Sequence, residues 1–257
     1  MPAPKTPTTC RLTQAWRALR LALHLLRMAI GSACLYPFSG ATHRAQLKQQ
    51  WSRKVLDILA ITLETQAIAA PSGCLVIANH ISWLDIFAIN AVRPAAFIAK
   101  AEIRQWPLIG WLSALNDTVF LHRGSRGHAR IVNARIDELL NSGKDVALFP
   151  EGTTTDGTRL LGFHAALLQP AIETGRPILP LAISYLDANG SISLAPSFAG
   201  ETRLMQCVFA ILASPQLTVR VTPLPIIAST DKSRRELSQA AHTAIAVCLS
   251  HHGQQPD

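Results

Sequence analysis

Ala78-Asn79-His80-Ile81-Ser82-Trp83-Leu84-Asp85 follows directly on the apolar run Leu75–Ala78, so a short strand delivers one histidine, and five residues later a carboxylate, into a turn. A histidine works as a general base near neutrality, and a carboxylate on its second ring nitrogen fixes the tautomer and stabilises the imidazolium. On a continuous helix five positions turn roughly 500°, which would leave His80 and Asp85 about 140° apart. His80 is therefore expected just before a helix, with Ser82 near its N-cap and Asp85 in its first turn. The same letters also form a variant capping box, in which Asp85 would only satisfy backbone donors.

A second apolar run, Asp145-Val146-Ala147-Leu148-Phe149, stops at Pro150 and opens into Glu151-Gly152-Thr153-Thr154-Thr155-Asp156-Gly157. Pro150 cannot donate to a strand ladder, and Gly152 allows a backbone to approach a ligand closely. Between the two segments, Asp117-Thr118-Val119-Phe120-Leu121-His122-Arg123-Gly124 is a third strand-like run that ends in an arginine. A guanidinium at a strand end beside glycine suits a phosphate, and a plain surface arginine has the same local sequence.

Taken in order, these segments resemble the glycerolipid acyltransferases typified by 1-acyl-glycerol-3-phosphate acyltransferases. Asn79, His80, Ser82 and Asp85 match the first family block, and Phe149, Pro150, Glu151, Gly152 and Thr153 match the third. Ile178-Leu179-Pro180-Leu181 resembles the fourth. Phe120 and Arg123 match the second, although His122 stands where relatives often carry Asp or Asn. The resemblance implies transfer of a fatty acyl group from an acyl-CoA or acyl carrier protein thioester to a lysophospholipid hydroxyl, with 1-acyl-glycerol-3-phosphate giving phosphatidic acid. Lyso-ornithine lipid is the alternative acceptor, and a non-catalytic membrane-binding protein of the same fold is the other alternative. By similarity His80 is the base, Asp85 orients it, Arg123 grips the acceptor phosphate, and Glu151 and Gly152 shape the acceptor site. Glu151 would do so by orienting Arg123 or accepting from an acceptor hydroxyl. The Thr153 hydroxyl or the amides after Gly152 are the oxyanion donors to expect. A thioester is already activated, so a base and an oxyanion site suffice; the sequence has no Gly-x-Ser-x-Gly elbow, and no cofactor or metal is implied.

Charge indicates where this chemistry occurs. Residues 1–60 hold nine Lys and Arg against Asp57 alone, and this excess equals the whole formal charge of +8. Arg17, Arg20, His24 and Arg27 recur at helical spacing beside the apolar row Leu19, Leu23, Leu26 and Ile30, the pattern of a basic helix lying at an anionic membrane surface. A second helix is expected after Pro37, with Trp51, Val55, Ile58 and Leu59 set against Lys48, Arg53 and Lys54. The charge-free stretch from Met28 to Thr42 is shorter than the roughly 20 residues of a spanning helix and contains Gly31, Pro37 and Gly40, so a peripheral or re-entrant segment is expected. The basic residues are embedded in apolar helices rather than interleaved with stacking aromatics, which excludes nucleic acid as the partner. Arginines interrupt any signal-peptide core, and five cysteines without a Cys-x-x-Cys pair argue against a disulfide framework, giving a cytoplasm-facing protein of the cell inner membrane.

The rest of the chain predicts an α/β fold, a central mixed, largely parallel sheet flanked by helices, with residues 1–66 as membrane-associated helices, 67–250 as the acyltransferase domain and 251–257 as a loose tail. Strands are expected near 74–78, 95–99, 118–121, 145–149, 178–184, 191–194 and 217–221, and helices near 126–142, 204–212 and 234–249.

Overall fold

The computed structural model describes residues 8–105, 110, 111, 113, 116–121, 126–200, 202–250, 255 and 256. A seven-stranded sheet forms the centre, in the order β1 (Ile61–Thr65), β8 (Leu217–Pro223), β7 (Ile178–Leu186), β2 (Leu75–Ala78), β5 (Val146–Leu148), β3 (Ala96–Lys100) and β4 (Val119–Leu121). Every neighbouring pair is parallel except β7 with β8. The mixed, largely parallel sheet expected from the sequence is thus present.

Two-residue alternation sorts the central strands between two cores. Val76, Ala78 and Ala147 face one side, where helices α1 (Arg11–Leu35), α2 (Ala41–Ile58), α3 (Asp85–Val92) and α6 (Leu204–Ala213) pack. Leu75, Ile77, Val146 and Leu148 face the other, beneath α4 (Arg126–Asn141), α5 (Gln169–Thr174) and α7 (Arg234–Ser250). These strands are buried on both faces, which is why they read as continuous apolar runs rather than as alternating ones.

The edge strand β1 was not foreseen. It pairs with β8, more than 150 residues away in sequence, over the register Ile61↔Leu217 to Thr65↔Val221. Residues 191–194 do not form the expected strand and contribute only the isolated bridge Leu186↔Ile192. Pairing ends just beyond it: Ser193 N still donates to Tyr185 O at 2.8 Å, but Ala195 N then donates to Ser193 Oγ at 3.4 Å and Ser197 N to Leu194 O at 3.0 Å, so the chain turns away from the sheet. Of the tail, 251–254 and 257 lie outside the described residues, and β9 (Gln255–Pro256) pairs in parallel with β6 (Arg159–Leu160).

Helix α1 runs unbroken through Gly31, and the segment Arg11–Phe38 is long and apolar enough to cross a membrane by length and composition. Gly31 is a contact rather than a break. A Cβ there would lie 2.8 Å from Trp51 Cζ2, so its absence lets the indole of α2 lie against the α1 backbone. Tyr36 stacks on the same indole at 6.0 Å. At its other end α1 is bolted to α6. Thr9 N donates to Ala213 O at 2.8 Å, and the Arg17 guanidinium donates to Ser214 O at 2.6 Å, Leu212 O at 3.3 Å and Pro215 O at 3.2 Å. These donors satisfy carbonyls that the end of a helix otherwise leaves open, and a cation is favoured there.

Candidate active site

Strands β2 and β5 are parallel neighbours, with Ile77 opposite Leu148, so their C-terminal turns leave the sheet side by side. This brings His80 and Glu151, 71 residues apart in sequence, into contact. Asn79 ends β2 by substituting a side chain for backbone: its Oδ1 accepts from Ile183 N at 2.8 Å and its Nδ2 donates to Ile183 O at 2.9 Å. The neighbouring β7 keeps a partner while the chain turns away and frees His80 to leave the sheet.

The expected dyad is formed. His80 Nδ1 lies 2.8 Å from Asp85 Oδ2, and that oxygen also accepts from Ile81 N at 2.7 Å and Ser82 N at 2.9 Å. The two readings of Asp85 hold together, since one oxygen both caps the turn before α3 and holds the imidazole. An acceptor already facing two N–H groups places the shared hydrogen on Nδ1 and leaves the lone pair on Nε2. Tyr185 donates its hydroxyl to Asp85 Oδ1 at 2.8 Å. Burial, then the nearby Asp85 charge, pushes the Tyr185 phenol well above its ordinary value, which keeps it a donor. Asp85 is fully buried, whereas the His80 side chain retains 21% exposure, so the dyad opens to solvent only through the base. The His80 ring stacks on Phe149 at 3.9 Å and 7°, which fixes its plane.

Glu151 is 4% exposed, and each of its oxygens accepts a backbone donor, Oε1 from His80 N at 2.7 Å and Oε2 from Leu161 N at 3.0 Å. The carboxylate therefore ties the β2 turn to the β5 turn. Gly152 takes φ +70, and its N–H closes the turn onto Phe149 O at 3.2 Å. Thr153 is exposed, while Thr154 donates its hydroxyl to Phe198 O and Thr155 N donates to His80 O at 2.8 Å. Arg123 lies outside the described residues. Asn79 and Tyr185 hold the turn that carries His80 through contacts that sequence reasoning missed; the available signal was the pair Ser184-Tyr185 inside the otherwise apolar Ile178–Leu186 run.

The dyad can take a proton from a hydroxyl at Nε2 and hold the resulting imidazolium against a buried carboxylate. Comparison with known proteins gives a consistent result. Residues 60–184 match the family model described as Acyltransferase. A 1-acyl-sn-glycerol-3-phosphate acyltransferase from Neisseria meningitidis serogroup B is 44% identical over 171 residues, 66% of this chain and 67% of that protein. A lyso-ornithine lipid O-acyltransferase from Pseudomonas aeruginosa is 36% identical over 206 residues, 80% of this chain and 79% of that one. The crystal structure of the 1-acyl-sn-glycerophosphate acyltransferase PlsC from Thermotoga maritima shares the fold, with a TM-score of 0.69 at 19% identity over 93% of this chain and 94% of that one.

Proposed function

This chain belongs to the acyltransferase family that includes the 1-acyl-sn-glycerol-3-phosphate acyltransferases, and from that premise we propose that it moves a fatty acyl group from a thioester onto the free hydroxyl of a lysophospholipid, 1-acyl-glycerol-3-phosphate before others. The observation that carries the reading is the 2.8 Å contact of His80 Nδ1 with the buried carboxylate of Asp85. Nε2 takes the acceptor's hydroxyl proton as the oxygen attacks the thioester carbonyl. The new C–O bond forms, the C–S bond breaks, and the imidazolium returns its proton to the departing thiolate. Glu151 acts by holding the His80 backbone. Arg123, by its match to the second family block, holds the acceptor's phosphate, and Thr153 or a neighbouring amide faces the oxyanion. The thioester is a co-substrate, acyl-CoA or acyl carrier protein. Helices α1 and α2 keep the enzyme on an anionic membrane, the cytoplasmic face of the inner membrane.

A specific observation favours lyso-ornithine lipid as a second acceptor: a relative of that activity matches over 80% of this chain. Labelled acyl-CoA and acyl carrier protein, each offered with lysophosphatidic acid and lyso-ornithine lipid side by side, separate the two. Product from lysophosphatidic acid, weakened by Arg123→Ala, is the result expected. Product from lyso-ornithine lipid alone would replace the first reading with the second, and no product from either would refute both.

A further inference from the structure

A surface helix of a soluble protein turns a polar face outward, yet α6, Leu204–Ala213, carries no charged residue on any face. Its inner side is accounted for by Cys207, Ile211 and Leu212, which are buried. Its outer side holds Met205 at 56% and Phe209 at 59% exposure, one helical turn apart, with the uncharged Gln206 and Ala210 exposed beside them. Scattered exposed apolar side chains need no explanation, but these are not scattered. Helix α1 exposes a row at alternating four- and three-residue spacing, Leu12, Trp16, Leu19, Leu23, Leu26 and Ile30, each at least 49% exposed. The hydrogen bonds from Thr9 and Arg17 to the end of α6 join the two helices. Together they hold four arginines and no acid.

We propose that α6 is a further membrane-contacting helix beside α1 and α2, with Met205 and Phe209 entering the apolar layer beneath anionic lipid headgroups and so seating the His80 turn at the bilayer surface. The proposal rests on the reading that the acceptor is a membrane lipid. Continuity with α1 supplies the partner's chemistry, because an apolar row bordered by arginines complements an anionic interface and repels a basic second copy. The position of α6 gives the contact its purpose. Burial raises the Cys207 thiol, with the Ser82 and Trp83 side chains close enough to oppose that shift, so the inner face of α6 lies beside the turn that carries His80. Phe198 N, on the segment leading into α6, donates to Ile81 O at 2.9 Å, a second tie to that turn. A lysolipid can then present its free hydroxyl to His80 without withdrawing its acyl chain far from the bilayer.

The test pairs wild type with Met205→Ser/Phe209→Ser, substitutions at exposed positions that should leave the melting temperature unchanged. Binding to phosphatidylglycerol and phosphatidylethanolamine vesicles, without acceptor or donor, reads the contact independently of the reaction. The variant is expected to bind at least about tenfold more weakly. Its KM for long-chain lysophosphatidic acid in vesicles should rise accordingly, while turnover of a water-soluble short-chain analogue stays the same. Unchanged vesicle binding would overturn the proposal, as would an equal loss with both acceptors, which would place the effect in the site itself. A wild-type dimer that the variant converts to monomer without loss of vesicle binding would assign the face to a second copy instead. If neither protein transfers acyl groups, the binding result still decides the membrane contact.

Discussion

Asp85 Oδ2 receives three donors, from His80 Nδ1, Ile81 N and Ser82 N, so one atom sets both the shape of the turn and the tautomer of the base. Asp85→Asn keeps the volume but can present an amide to those donors, and the imidazole then loses its orienting acceptor. Turnover is expected to fall by roughly 10³–10⁴-fold while the melting temperature drops only modestly, measured by steady-state kinetics alongside thermal unfolding. Retained turnover would make Asp85 a cap and nothing more. Tyr185→Phe leaves Oδ1 of the same buried carboxylate without its hydroxyl donor, and should cost about 1–3 kcal/mol of stability in denaturant unfolding. At this scale the sequence exposed the dyad because both members fall within six residues, where local turn geometry limits the arrangements. It did not expose Tyr185, which reaches Asp85 from 100 residues away through the pairing of β2 with β7. Glu151 was visible as a site residue, yet its grip on two backbone N–H groups depends on the β2–β5 adjacency, which no local pattern encodes.

Elements carry the next level of constraint. Helices α1 and α2 approach closely only because Gly31 lacks a side chain where Trp51 packs, so Gly31→Leu should destabilise by about 1–3 kcal/mol through overpacking, read as a lower melting temperature. Helices α4 and α5 meet through two acids. Asp137 is pushed up to about 6, first by burial and then by the charge and hydrogen bond of Glu173. Its proton is held more tightly in the folded state than in the unfolded chain, whose value is near 3.8, so stability declines as pH rises between those two values. Asp137→Asn removes that cost: the variant should be more stable than wild type at pH 7 by about 1 kcal/mol, solvent screening having reduced the full effect, and the difference should vanish below about pH 4. A pH-independent difference would contradict this origin. Most helices and the buried strands were legible because their apolar periods or runs are long and uniform. Strand β1 was not, because Ile61-Thr62-Leu63-Glu64-Thr65 is half-exposed at a sheet edge and gains its partner from the far end of the chain.

On the scale of the whole molecule, the sheet separates two helical layers, and the surface assigned to the membrane belongs entirely to one of them. That layer contains α1, α2, α3 and α6, and the His80 ring packs against Phe149, which borders the same core. The charge asymmetry of the sequence follows this division, since the nine basic residues of the first sixty fall almost wholly on α1 and α2. Composition marked the first sixty residues as suited to an anionic membrane, whereas the uncharged run 204–212 reads first as a core helix and second as one facing acyl chains or the bilayer until its exposure is known. Acyl transfer by this site depends on His80 removing the acceptor's proton. The measurement that tests it most directly is transfer of a labelled acyl group from its thioester to lysophosphatidic acid by wild type and His80→Ala, with circular dichroism and vesicle binding taken on the same preparations. Loss of at least about 10²-fold in turnover, with fold and vesicle binding retained, is predicted. Turnover within a few-fold of wild type would contradict the account.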